Sequence, residues 1–307
     1  MSSRERYRQF CEATPDLPVF AQPWYLDAAP GGQYWDAVVV EEGGRPVAAL
    51  PYCLKRRWGF RYATLPLFVK YLGPLLAPGH RELAEQHRLL GLLIEGLPRL
   101  DGFETHFQPD ITNWLPFYWR GFRQTTYYTY RIDLTQPHWA EGINRNLRRN
   151  LRKAEEQLHL RHDLPLAELH RLIGLSFARQ GRPLPYAWPD LERHHQALAD
   201  RGARQLFFAE DEQGRIHSAA CLIWDGRAAY YHLSGDDPAL RDSGAGIWLA
   251  KQAIEYARQV LGLPVFDFEG SMIPAIEAIR RQFGAQQTPY FRVWKAQSKV
   301  FGWVKGW

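Results

Sequence analysis

Three short stretches carry the residue types that chemistry needs. The first is RDSGAG, Arg241 to Gly246, directly ahead of the apolar-periodic stretch IWLAKQAIEYARQ. Unpaired N–H groups at a helix start, with the helix dipole behind them, attract anions. Glycines let a backbone approach a ligand closely, and Arg241 adds a charge-assisted bond to an oxygen. Arg241, Ser243, Gly244, Ala245 and Gly246 therefore read either as a phosphate cradle or as a turn in which Asp242 or Ser243 caps the helix.

The second stretch is FDFEGS, Phe266 to Ser271. A spacing of two puts Asp267 and Glu269 on one face of a strand and Phe266 and Phe268 on the other. A carboxylate at a strand end beside a cleft is suited to act as a general base. Glu269 lies nearer the end and is the first candidate. Alternatively, both acids pair with local arginines. Arg280 and Arg281 follow on a short helix after Pro274, where they read as a solvated helix face or as functional cations. Tyr290, Tyr231 and His232 are further acid or substrate-orienting candidates. Ser271 either caps the following helix or binds substrate.

The third stretch is INRNLRRNLRKAEEQL. Arg145, Arg148, Arg149, Arg152 and Lys153 fall at helical spacing on one face, with Ile143, Leu147, Leu151, Ala154 and Leu158 opposite. The basic face is either solvated or a dock for a polyanion.

These stretches need a frame, and the chain repeats one. DAVVVEEGGRPVAALPYCL, from Asp36, matches LFFAEDEQGRIHSAACLIW, from Leu206: Glu42 aligns with Glu212, Gly44 with Gly214, Arg45 with Arg215 and Ala49 with Ala219. Each copy reads strand, acidic-glycine turn, strand. The second continues through the hairpin signal Asp225-Gly226 into RAAYYHLSG. A helical stretch follows in each half, roughly Arg81 to Leu97 and Gly244 to Leu261, the latter with Ile247, Ala250, Ile254 and Ala257 on one face. Next come a short strand (GFETHF, PVFDFEG), a short helix, Gly121 or Gly284, and a last strand (TTYYTYRIDL, TPYFRVWK). The break falls near Thr135-Gln136-Pro137, giving domains 1–136 and 137–307. The basic stretch and two further helical stretches up to about Asp200 are inserted in the second half alone.

The 307 residues suit two domains, and 46% hydrophobic residues supply each with a core. A net charge of +5 favours an anionic ligand but is too small to imply nucleic acid by itself. Cys11, Cys53 and Cys221 are odd in number and far apart, so no disulfide framework or zinc spacing follows. The adjacent His194 and His195 cannot share a helix face, and no metal pattern emerges. The start of the chain lacks an apolar h-region and no run is long enough to span a membrane, so a cytoplasmic location is expected. The tail KVFGWVKGW mixes Trp303 and Trp307 with Lys299 and Lys305. It suits a membrane interface or, more simply, packing against its own domain.

Three antiparallel strands, a glycine-opened helix, a strand, a helix and a final strand resemble the GNAT acyltransferase fold. Two such halves, the R-N-x-R-K-A-E type segment opening the second, and FDFEGS followed by I-x-x-I-R-R-Q-F-G resemble the FemAB-like group of that superfamily. The stretches WYLD and KYLGPLLAP also fit its free-standing members, which brings in Tyr25 and Lys70 as substrate-side candidates. The resemblance implies an α/β (α+β) protein of two tandem GNAT-like domains, each a mixed, mostly antiparallel sheet flanked by helices, the first degenerate. It implies that Arg241, Gly244 and Gly246 hold the pyrophosphate of acyl-coenzyme A. The thioester arm would run along Tyr230 to Ser234, Leu233 and Ser234 included, where that strand splays from Val265 to Glu269.

The candidates for catalysis are Glu269 and Tyr290, read from their own positions, and Arg280, where the resemblance implies a cation (often Lys in relatives) for a phosphate or a developing negative charge. Substrate would be held by Arg145, Arg149, Arg152, Tyr231, Asp267, Ser271, Lys70 and Tyr25. The expected reaction is N-acylation of an amine, small molecule or cell-wall precursor, bound between the two domains, with acetyl-coenzyme A as donor and no metal. Aminoacyl-tRNA as donor to a cell-wall precursor is the nearer alternative, although the long helical hairpin of tRNA-using members is not evident. A non-catalytic binder of an anionic ligand is the other.

Overall fold

The computed structural model describes every residue except Arg81 and Trp307, and leaves out the side chains of Val304 and Lys305. The expected order of elements is present in both halves. The first runs α1 (Ser3–Ala13), α2 (Pro23–Ala28), β1 (Trp35–Glu42), β2 (Arg45–Arg57), β3 (Phe60–Ala63), β4 (Leu75–Leu76), α3 (Leu83–Glu95), β5 (Gly102–His106), α4 (Leu115–Trp119) and β6 (Arg123–Asp133). The second opens with the inserted α5 (Arg145–Glu155), β7 (Leu158–Arg161), α6 (Leu166–Arg179) and α7 (Trp188–Asp200). It continues with β8 (Arg204–Asp211), β9 (Ile216–Trp224), β10 (Ala228–Asp236), α8 (Ala245–Gln259), β11 (Val265–Asp267), α9 (Pro274–Gln282), β12 (Gln286–Ala296) and α10 (Lys299–Lys305).

The chain forms two compact units, 1–127 with 289–307, and 128–288. These differ from the division at 136/137 because β6 and β12 each cross from one unit to the other. In the first unit Arg292–Ala296 of β12 pairs antiparallel with β5. In the second, Arg131–Asp133 of β6 pairs antiparallel with β11. The strand pairing within each unit therefore includes a strand that the linear order assigns to the other half. Strand pairing is set by burial and register rather than by sequence proximity, so this exchange leaves no local signal.

In the second unit β7, β8, β9 and β10 form an antiparallel ladder, and β11 lies parallel to β10. One face of this sheet packs on α8 and α5. The stripe Ile143, Leu147, Leu151, Ala154 and Leu158 is buried there with Phe207, Leu222, Tyr231, Phe266 and Phe268. The helical face expected of α8 is present: Ala250, Ile254 and Ala257 are buried, while Ile247 is half-buried. Gly235 of β10 faces the backbone of α6, where a Cβ would sit 2.3 Å from the Ile173 nitrogen.

The first unit has its own core of Leu50, Leu89, Leu93, Phe103, Phe107 and Phe117. The helix expected from Arg81 begins at Leu83; Arg81 itself lies outside the described residues. In the tail, Phe301 is buried against Phe60 and Tyr62, so α10 packs on this unit, while Trp303 is exposed. Trp307 lies outside the described residues. Among the described residues, no helix is long and apolar enough to cross a membrane.

Candidate functional site

The cradle stretch forms a turn of 3-10 helix, Pro238–Ser243, followed by α8. Gly244 is the junction, with φ +74°. That left-handed backbone is cheap only for glycine. No side-chain cap closes the start of α8. Ser243 Oγ donates to the Leu240 carbonyl at 2.8 Å and accepts from the Ala245 N–H at 3.3 Å. The Gly246 and Ile247 N–H groups make no bond to the preceding turn. Gly246 lies where a Cβ would come 2.7 Å from Asp236 Oδ1, so glycine lets α8 approach the end of β10. The Arg241 side chain is exposed and in no ion pair among the described residues.

This helix start opens on a cavity of about 570 Å³. Arg241 to Ile247 form one wall. Asn150 and Lys153 of α5, and Ser176, Arg179 and Gln180 of α6, form others. Tyr231, Ser234 and Asp236 of β10 and Ile276, Ile279 and Arg280 of α9 close it. Lys153, Arg179, Arg241 and Arg280 outnumber Asp236 and Asp242. Asp236 is already engaged by Ser218 Oγ at 2.7 Å. The lining is suited to an anion.

The strand behind the cavity is half open. Pairing of β10 with β11 covers Ala228 to Tyr230 against Val265 to Asp267 and stops there. Beyond Tyr230, β10 runs on to Asp236 paired with β9, with Leu233 and Ser234 on this stretch and Ser176 Oγ of α6 bonded to the Asp236 backbone. The ladder with β9 slips between Tyr231 and Leu233, leaving His232 as the bulged residue. Such bulges re-aim side chains.

The two acids of FDFEGS part company. Asp267 is fully buried and meets only donors: Thr129 Oγ1, Arg131 Nε at 2.9 Å and the Glu269 nitrogen at 2.8 Å. It is buried among these donors and off the cavity lining, away from the substrate contacts expected of it. Glu269 lies past the end of β11 with φ +56°, a strained conformation for a non-glycine residue. Its carboxylate meets His232 Nδ1 at 2.8 Å and keeps 14% exposure. Arg280 lies over the rings of Phe268 and Tyr231, 4.4 Å and 5.3 Å from their centroids. Its Nε is buried without a partner. Burial lowers the Arg280 pKa from its ordinary value, while Tyr231, Glu269 and Asp267 pull it back up. Ser271 Oγ accepts from the Ile273 nitrogen at 3.0 Å, holding the turn into α9.

Other candidates lie elsewhere. Tyr25 is fully buried in the first unit with its hydroxyl donating to the Phe68 carbonyl at 2.6 Å. Lys70 and Tyr290 form a cation–π pair at 5.3 Å in that unit, among Tyr71, Tyr127 and His106. None of these lines the cavity. Arg145, Arg149 and Arg152 are exposed on α5 and also lie outside it. Arg148 is tied to the Ile143 and Glu141 carbonyls.

Sequence reasoning overlooked Asn150 and Ser176 and gave no cavity role to Lys153, Arg179 or His217. Lys153 stood in the basic stretch, but its helix phase alone did not separate it from Arg152. His217 borders the cavity with Nε2 2.9 Å from Asp211 Oδ2.

Residues 143–291 match the family described as Acetyltransferase (GNAT) domain. Along its whole length the chain shares its fold with solved structures. It is similar to the crystal structure of FemX, with 12% identity, a TM-score of 0.74, and coverage of 99% of this chain and 98% of that one. It is similar to L-PGS from Bacillus licheniformis, with 10% identity, a TM-score of 0.55, and coverage of 98% and 93%. A third likeness is to a tandem GNAT protein from the clavulanic acid biosynthesis pathway, with 14% identity, a TM-score of 0.54, and coverage of 95% and 92%. At these identities the likeness is one of fold. No curated protein sequence matches the chain.

Proposed function

We propose that the second unit transfers an acyl group from acyl-coenzyme A to the nitrogen of an amine. One observation carries this reading: a helix start without a side-chain cap, with Arg241 beside it, opens on the same cavity as the length of β10 beyond its pairing with β11. The residues fit such a donor. Arg280 Nε is a buried donor in want of an acceptor. Arg241, Lys153 and the Gly246 and Ile247 N–H groups would hold the pyrophosphate. The open edge at Leu233 and Ser234 would pair with the amides of the thioester arm, as an added strand does.

The donor supplies a thioester: as the new C–N bond forms, the C–S bond breaks and coenzyme A leaves as a thiolate that takes up a proton from solvent. Arg280 keeps a positive charge beside the cavity and would steady negative charge developing on the acyl oxygen. Tyr231, Ile276 and Ile279 are positioned to keep water from it. Glu269, partly exposed and close to Arg280, would take the proton that the amine loses.

Thermal-shift titration with acetyl-coenzyme A, on the natural protein and on Arg241→Ala, tests the donor. Ligand at about a hundred times its Kd adds about 2.7 kcal/mol. The shift should shrink in the variant. No shift in either protein would refute the donor assignment. The exposed Arg145, Arg149 and Arg152 support a second reading, in which the acyl group arrives on tRNA. That predicts donor binding that weakens steeply with salt.

A further inference from the structure

Behind Glu269 stands a chain of imidazoles that no step above uses. His232, the bulged residue of β10, puts Nδ1 2.8 Å from Glu269 Oε1. Its Nε2 lies 3.3 Å from Nε2 of His194 on α7. The His232 side chain is 2% exposed and His194 is fully buried. A carboxylate only accepts, so an ionised Glu269 requires the proton on His232 Nδ1. A neutral His232 then offers a lone pair at Nε2, and His194 Nε2–H is the donor that meets it. Burial first, then the neighbouring His232 and His195, press the His194 pKa well below its ordinary value, so His194 stays neutral.

We propose that His194 and His232 are positioning residues for Glu269: His194, from the inserted α7, pins the His232 ring, and His232 aims the carboxylate. This rests on Glu269 being the base of the acyl transfer. It gives the insertion a role beyond covering the sheet. It also accounts for the strained backbone at Glu269, since strain of this kind persists where surrounding contacts over-determine it. The order of contacts is that of an acid–imidazole pair in which the outer group fixes the tautomer of the inner one.

Two measurements on the full chain test this, and they fail separately. Long-range ¹H–¹⁵N spectra at neutral pH report ring tautomers without any substrate. The expected result is a neutral His232 protonated at Nδ1 and a neutral His194 protonated at Nε2, with peaks assigned through His232→Asn and His194→Gln. A His232 protonated at Nε2 alone overturns the proposal, whatever the protein acylates. The second is a mutant cycle on acetyl-coenzyme A-dependent amine acylation. His194→Phe should lower kcat about tenfold, the worth of one hydrogen bond, with the KM for the donor unchanged. His194→Gln, whose amide can donate from the same place, should restore most of it. In a Glu269→Gln background His194→Phe should cost nothing more, because its effect travels through the carboxylate. Losses that simply add overturn the proposal. The expected tautomers in a protein that acylates no amine would instead refute Glu269 as a base, and with it the role of both histidines.

Discussion

Replacing Asp267 by asparagine should damage the fold, although the change swaps one oxygen for one nitrogen. Every partner of Asp267 approaches as a donor. Thr129 Oγ1 and the Glu269 nitrogen meet Oδ1, and Arg131 Nε meets Oδ2. An asparagine amide has one acceptor. If its oxygen keeps Thr129 and Glu269, its NH2 faces the Arg131 N–H. If it turns round, its NH2 faces the Glu269 N–H. Thr129 can rotate its hydroxyl to accept, but a backbone N–H and a guanidinium cannot. With Asp267 at 0% exposure, no water relieves the conflict.

Breaking a buried ion pair costs about 3–5 kcal/mol. The Arg131 side chain keeps 22% exposure and recovers part of its hydration, which places the loss near the lower end, about 3 kcal/mol. For a unit of this size that is roughly 6–12 °C in Tm. Urea unfolding followed by tryptophan fluorescence, with calorimetry beside it, reads the change. Glu269→Gln is the control. Its amide oxygen still accepts from His232 Nδ1, and its partial exposure softens any mismatch, so stability should move by less than about 1 kcal/mol. Acylation should nevertheless fall on the order of 10²–10⁴-fold. A loss below about 1 kcal/mol for Asp267→Asn would refute the account of that carboxylate as internal scaffold.

Two further outcomes follow from buried groups. Burial, helped by Arg204, holds His195 at a pKa of about 3, and burial with Lys70 and Arg292 holds His106 at about 3. The unfolded chain takes up these protons near 6.5 while the folded one refuses them, so stability falls as pH drops from about 6.5 towards 3, by about 1.4 kcal/mol per pH unit per histidine. His195→Phe should flatten urea-derived stability against pH by that amount between pH 6 and 4.5, and parallel profiles would refute it. Gly235→Ala should cost about 3 kcal/mol in urea unfolding, because its Cβ would meet the α6 backbone at 2.3 Å rather than a movable side chain. A loss under about 0.5 kcal/mol would mean the two elements yield freely.

Much of this frame was legible in the sequence because its signals are local. The duplicated acidic-glycine turns gave the paired hairpins, and the 3.6-residue period gave both faces of α5. The glycines of RDSGAG gave a helix start, though whether it was capped depended on where Ser243 points. What was illegible is non-local. Thr129 and Arg131 lie 138 and 136 residues from Asp267, so nothing nearby announced that this acid was already spoken for. His194 and His232 are 38 residues apart on different elements. Read as a sequence neighbour of His195, His194 suggested nothing. Its contact is made by tertiary packing and by a bulge that no period predicts.

The divergence of Asp267 and Glu269 shows how one irregular turn assigns two roles. Period-two alternation puts both on one face, and it would hold if β11 continued. It ends at Asp267, and Gly270 then packs directly against β6, where a Cβ would fall 2.4 Å from the Tyr128 carbonyl. Glu269 and Gly270 both take positive φ to make that turn. Glycine does so freely; for Glu269 the conformation costs about 1–2 kcal/mol. Two contacts offset this: its N–H donates to Asp267, and its carboxylate meets His232. The buried acid thus organises the turn that carries the other one out of the strand. Changing Asp267 should therefore disturb the chemistry through Glu269, whereas changing Glu269 should leave Asp267 and its arginine in place.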